Sequence, residues 1–256
     1  MLFALSSSVG WAQKAFIFNS LQKNGFVSIS SGVSLPTGNF GRLSVEPETI
    51  LSSGLAVSGW AWSLSAGYRL AGPLGLMAQG NEVFNDIRPT APATPPTDAS
   101  ARLVADALTV TTPAGRAGRW HSRSLMVGPF LTVPLGRLGL DVRATAGQAW
   151  VTCPETCIQG TINAVETVIR QHNQTATAIA GGLGLSLRYR LTPTLALHAN
   201  TDYHSATFRF NDIPFAPRAN SRTSVGASTL TAYRTVSLLT LSVGLTIQFR
   251  AKNQVF

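Results

Sequence analysis

Charge is scarce in this sequence. Only 12% of its 256 residues are charged, about half the share of an ordinary soluble protein. Lysine is confined to Lys14, Lys23 and Lys252. A water-facing surface normally carries many Lys and Glu, and few are present here. Long apolar runs are missing too. Hydrophobic residues make up 45% of the chain, yet no uninterrupted run approaches the ~18 residues of a membrane-spanning helix. Cysteine is limited to Cys153 and Cys157, in the stretch CPETC. That is too few for a four-ligand zinc site, and no histidine lies close by in sequence. No phosphate-binding glycine loop, zinc spacing or nucleophile elbow occurs, so no cofactor and no metal are expected.

The cations that are present give a net charge of +9. Nucleic-acid binders gather Lys and Arg into stripes. Here single arginines sit at strand ends and in loops, which argues against nucleic acid and for contact with anionic lipid or lipopolysaccharide phosphate. Cys153 and Cys157, if oxidised, close a small surface loop suited to an exported protein; two reduced thiols are the other reading. Residues 1–12 (MLFALSSSVGWA) have the apolar stretch and small residues of a secretion-signal remnant, with a cut expected before Gln13. A strand-forming or unstructured start is the alternative. Residues 13–24 read as a periplasmic lead-in and 251–256 as a C-terminal tail.

Alternation fills the space between. From Leu239 to Phe249 every second residue is large and apolar, and the intervening ones are Thr240, Ser242, Gly244, Thr246 and Gln248. A strand sends alternate side chains to opposite faces, so one face is hydrocarbon and the other is small and polar. The pattern predicts seven earlier strands, near 25–35, 55–70, 74–84, 122–133, 138–150, 175–191 and 195–208. Short turns at Ala71-Gly72-Pro73, Pro134 to Arg137 and Thr192-Pro193-Thr194 alternate with long connections. The longest of these, 85–119, is too proline-rich for a strand or helix. Within Thr161 to His172, Ile162, Val165, Val168 and Ile169 fall at helical spacing, which predicts a short helix.

An eight-stranded antiparallel up-and-down meander with its long loops at one end follows from this order. The polar face is mostly Gly, Ser, Ala and Thr. Its few charges are Arg69, Asp141, Arg143, Arg188 and Asp202, which must pair if enclosed and which predict a salt-bridged, plugged lumen; a narrow anion-selective path is the other reading. The opposite face is Leu, Val, Ile and aromatic. A soluble barrel reverses this arrangement, so the chain reads as a transmembrane β-barrel, apolar outside and polar inside. Trp60, Trp62, Tyr68, Trp150, Tyr189, Tyr203, Tyr233 and Phe249 fall near strand ends, as girdles at the bilayer interfaces would require. A general preference of Trp and Tyr for strands is the plainer account.

With its glycine-rich first strand ending in SLPTGNFG and its last strand ending in an aromatic, residues 25–250 resemble the small outer-membrane β-barrels of Gram-negative bacteria, the OmpA/OmpX type. The resemblance implies a bacterial outer-membrane location and long extracellular loops. It also implies insertion by the barrel-assembly machinery, which reads a terminal aromatic (Phe249, or Phe256 beyond it). A monomer whose loops meet an unknown ligand is expected, structural or adhesive in role and not an enzyme. The competing reading is a barrel-embedded hydrolase. Asp202 and His204 stand two apart, as in omptin-type proteases, with Asn85-Asp86 the nearest candidates for the opposing acidic pair. Lipid A deacylases carry His and Ser two apart on the lipid face; here His121 and Ser122 are adjacent and fall on opposite faces.

Overall fold

The computed structural model describes residues 23–42, 54–87, 109–111, 118–162, 165–218 and 228–249; the expected signal remnant, most of the lead-in and the C-terminal tail lie outside them. Its strands are β1 (Gly25–Thr37), β2 (Ala56–Ala71), β3 (Leu74–Ile87), β4 (Thr109–Thr111), β5 (Arg119–Leu135), β6 (Leu138–Cys153), β7 (Thr156–Ile162), β8 (Val165–Gln171), β9 (Gln174–Arg190), β10 (Leu195–Arg218) and β11 (Ser228–Phe249). Eight of them, β1, β2, β3, β5, β6, β9, β10 and β11, pair antiparallel with their neighbours in that order, and β11 pairs with both β10 and β1. The sheet is therefore closed. Its seam runs from Gly25 opposite Phe249 to Thr37 opposite Ser237.

Closure answers a physical requirement. Hydrocarbon offers no partner for a backbone N–H or C=O, so a sheet in lipid can have no free edge. The turn end has tight connections, at two of which Gly72 and Gly136 take positive φ, the conformation a short hairpin demands. Outside, Leu or Val projects from each of the eight ring strands: Ile179, Leu183, Leu185 and Leu187 on β9 and Leu241, Val243, Leu245 and Ile247 on β11 are all exposed, Ile179 at 85%. From Tyr189 to Ile179 the chain rises about 33 Å along the strand, or about 25 Å at a tilt near 40°, the height of a barrel's lipid belt. Tyr68, Tyr189 and Phe249 lie at its lower edge by register, and Trp60, Trp62, Trp150 and Tyr203 toward its upper edge. Tyr233 stands higher, opposite Arg209 on β10. From the upper edge of the belt onward the outer face turns to hydroxyls: Ser205 bonds Ser237, Thr207 bonds Thr235 and Thr152 bonds Thr175, each at 2.9 Å.

At the loop end the structure departs from the sequence expectations in three ways. First, β10 and β11 run on to Arg218 and from Ser228, past a register shift between Phe210 and Ile213 where Asp212 has φ +56°. A bulge of this kind bends a strand and re-aims it. Second, the expected helix over 161–172 is a hairpin of β7 and β8, which adds to the edge of β10 and carries β4 on its far side. Ile162, Val165, Thr167, Val168 and Ile169 are β-branched and favour strand, and the extended β10 supplies the ladder partners. Third, the segment 85–119 contains β4.

The lipid belt makes depth-dependent demands on its residues. Leu185→Arg, at mid-belt, is expected to lower folding stability in liposomes by about 2–4 kcal/mol, whereas Thr207→Arg, at the upper interface, costs about 0–1 kcal/mol. Equilibrium denaturation in vesicles checks both; equal costs would remove the membrane boundary drawn here.

Candidate functional site

The lumen has two chemically different halves. Toward the turn end it is polar. Arg143 on β6 donates to both oxygens of Asp202 on β10, from Nε at 2.9 Å and from Nη2 at 2.6 Å. Arg188 on β9 pairs with Asp141 on β6, whose other oxygen accepts from Thr132 Oγ1 at 2.6 Å. All four charged side chains are buried, as is Arg69 nearby. Hydroxyls fill the gaps: Ser28 bonds Ser65 at 2.6 Å, Ser30 bonds Ser63 at 2.7 Å, and Thr246 bonds His198 at 2.8 Å. Glycine makes room for this packing. A Cβ on Gly184 would stand 2.1 Å from Asp202 Oδ1 and 2.5 Å from Arg143 Nε, so the β9 sequence GGLGLS leaves space for the ion pair.

Toward the loop end the interior is apolar, which corrects the expectation of a polar lumen throughout. Val83, Trp120, Met126, Val151, Phe208, Phe210, Val236 and Leu238 form one buried cluster. A short 3-10 turn, Gly38–Phe40, folds Phe40 down into it, edge-on to Trp120 at 5.2 Å. Trp120 donates to the Gly54 carbonyl at 2.7 Å. Arg234 is buried among these rings, 5.5 Å above Trp120 and 5.8 Å above Phe210, and its Nη1 reaches the Cys153 sulfur at 3.4 Å. Phe208 and Phe210 continue the parity of His198, Asn200, Asp202 and His204, and that continuation was the signal for an apolar plug.

Several expected sites come apart. Cys153 is a buried free thiol, so the bridge to Cys157 is not formed. The reason is geometric: Cys153 ends β6 facing the lumen and Arg234, while Cys157 belongs to β7 beyond Pro154; its side chain lies outside the described residues. Asp202 is held by Arg143 rather than serving His204, whose Nδ1 is buried without a hydrogen-bond partner. Asn85 and Asp86 do not oppose them as an acidic pair. Asn85 points inward to Ser34 and the Val57 carbonyl, and Asp86 points outward to Arg119 at 2.8 Å. His121 and Ser122 lie on opposite faces: His121 faces out, and Ser122 lines an internal void with His204 and Phe208.

The outer face holds an arrangement that sequence reading missed. In register across β2, β3 and β5, Trp62 donates to Glu82 at 3.0 Å, and Glu82 also binds His121 at 2.7 Å and Arg123 at 3.0 Å. One row above, Trp60, Phe84 and His121 form a stack, with centroids 5.9 Å and 4.5 Å apart. The half-exposed polar groups face outward near the upper edge of the belt. Only strand register brings Glu82, His121 and Arg123 together, and none of the three stands out by local spacing.

Closed pairing, an apolar outer belt and a filled polar and aromatic interior define an integral outer-membrane β-barrel of the small, eight-stranded kind. No family model matches the chain, and no curated protein matches it in sequence. Among solved structures it is similar to Neisserial surface protein A, at 12% identity over 88% of this chain and 97% of that one, with a TM-score of 0.44. It is also similar to Ail, the attachment invasion locus protein of Yersinia pestis, at 10% identity over 89% and 99%, TM-score 0.43. A third is the outer membrane protease OmpT from Escherichia coli, at 8% identity over 89% and 97%, TM-score 0.44. Likeness at this level transfers no residue role; the class rests on the barrel's own closure and surface.

The Arg143–Asp202 pair generates a sharp expectation. Removing one partner leaves a buried charge uncompensated, so Asp202→Asn or Arg143→Met is expected to destabilise the barrel by about 3–5 kcal/mol. Arg143→Met combined with Asp202→Leu should recover most of that loss. Urea unfolding from detergent micelles gives the comparison; a double variant as unstable as the singles would mean the pair is not acting as a unit.

Proposed function

We propose that this protein is a structural and surface-interaction component of the outer membrane, working through its loop end and passing small solutes at most weakly. The observation carrying this reading is the filled lumen. Two ion pairs occupy the lower interior and an aromatic cluster capped by Phe40 occupies the upper. Side chains fill an eight-stranded barrel about completely, and here the described side chains occupy both halves of the lumen. Its loop end is by contrast elaborate: β10 and β11 rise past the belt and carry the sheet on through β8, β7 and β4. Surface loops on a rigid scaffold are where recognition is usually built.

The same reading assigns the expected partners. Lipid tails meet the belt. Lipopolysaccharide phosphate meets Arg119 and Arg123, whose side chains are 59% and 62% exposed beside their carboxylate partners. The barrel-assembly machinery reads the last strand, and the barrel works as a monomer with an external loop ligand. Hydrolysis at Asp202 and His204 is not part of the proposal, because Asp202 is buried and committed to Arg143 and the Nδ1 of His204 is buried away from it.

Planar-bilayer recording tests the filled lumen. The folded wild-type protein is expected to give no steady open-channel current. Sustained ohmic conductance from a preparation showing a single folded species would overturn the structural reading in favour of a pore.

A further inference from the structure

The outer face of β3 and β5 holds two arginines in the same way. Arg119 donates through Nε to Asp86 at 2.8 Å. Arg123 donates through Nε to Glu82 at 3.0 Å, and the same Nε lies 3.2 Å from His121 Nε2. The repeat comes from register: Asp86 stands opposite Arg119, Phe84 opposite His121 and Glu82 opposite Arg123. The described hydrogen bonds of both arginines run through Nε, so each carboxylate orients its guanidinium and leaves the paired Nη nitrogens for a ligand. Both arginine side chains are more than half exposed.

The two arginines are four residues apart on one face of β5, about 13 Å along the strand. His121 stands between them and ends the Trp60–Phe84–His121 stack. The first ring of that stack, Trp60, is half exposed and donates to Ser31 Oγ at 2.9 Å, which fixes its orientation. The cluster sits near the upper edge of the lipid belt, at headgroup level, on one side of the barrel. Across β6–β9 and β10–β11 the outer face at that level carries the hydroxyl pairs Thr152–Thr175, Ser205–Ser237 and Thr207–Thr235 instead. Residence at the interface alone therefore does not call for charges here.

Two arginines and two carboxylates sum to no net charge, so an anion gains little from long-range attraction. What the face offers is position. A guanidinium fork matches phosphate oxygens in bidentate geometry. Aromatic rings between the forks supply apolar contact for the C–H faces of a sugar, and Asp86, half exposed, can accept from a hydroxyl. A disaccharide phosphorylated at both ends has a length comparable to the spacing of the forks.

Resting on the reading above that lipopolysaccharide phosphate meets Arg119 and Arg123, we propose that this face is a specific site for one glycolipid headgroup, a disaccharide phosphorylated at both ends. One phosphate sits on each guanidinium and the sugar lies against the ring stack. The occupant is a lipid of the outer leaflet, not free phosphate.

Native mass spectrometry of the folded full chain in detergent micelles, with divalent cations chelated, tests this. Diphosphoryl lipid A is expected to bind about tenfold or more tighter than phosphatidylglycerol, and about threefold or more tighter than monophosphoryl lipid A. Arg119→Gln and Arg123→Gln should each bring diphosphoryl binding down to the monophosphoryl level. Trp60→Ala should weaken both glycolipids and leave phosphatidylglycerol unchanged. Arg209→Gln, on the outer face of β10 across the ring, should change nothing. Heat-modifiable gel mobility establishes that each variant is folded. Equal binding of the two lipid A forms, or equal weakening by Arg209→Gln and Arg123→Gln, would overturn the site while leaving a general contact with lipopolysaccharide phosphate in place. Diphosphoryl lipid A bound no better than phosphatidylcholine would remove that contact as well.

Discussion

Backbone hydrogen bonding without water is the constraint on which the rest of this structure depends. A strand in hydrocarbon must find partners on both sides, and eight strands satisfy this only by bringing β11 back to β1. The seam from Gly25–Phe249 to Thr37–Ser237 is therefore the condition for every other strand to be stable in lipid. Closure also divides each strand's alternation into two environments. The face bearing Leu183, Leu185 and Leu187 must meet lipid, and the face bearing Gly184, Ser186 and Arg188 must fit inside a narrow tube.

The interior then becomes a packing problem at two levels. Near the turns, both buried carboxylates are held by arginines, because an isolated buried charge would shift its protonation or unfold the site. Arg143–Asp202 and Arg188–Asp141 meet that demand, and Gly184 gives up its side-chain volume to the first of them. Near the loops, aromatic rings replace the ion pairs, and Phe40 closes the stack from above. A lumen solid at both levels is a rigid pedestal. The β10 and β11 ribbon that rises from it, bent at Asp212, can hold the β7–β8 hairpin at a set distance from the membrane.

Polarity along the barrel axis is the other organising feature. Carboxylates belong mainly to the middle and loop end, where Glu82 and Asp86 bind Arg123 and Arg119 on the outer face. Among the described residues, arginines collect at the turn end around Asp141. A barrel with such a gradient presents unlike chemistry to its two compartments even when nothing passes between them.

The sequence alone determined the eight strands of the ring, the short turns and the lipid-facing stripe, and it named five of the charged residues that face inward though not Arg234, because strand periodicity is local and a belt without charge tolerates few exceptions. Its reading failed where the decisive partner was distant in sequence. Residues 161–172 have apolar spacing compatible with a helix, and only the extended edge of β10 makes them a hairpin. Cys153 and Cys157 look like a bridge until the end of β6 turns the first sulfur inward to Arg234. Glu82, His121 and Arg123 become neighbours only through the β3–β5 register, and Arg69, Arg137, Arg188 and Arg190 only through barrel closure. Alternation along a strand says which face a side chain is on; the register and curvature of the closed sheet decide what it meets there.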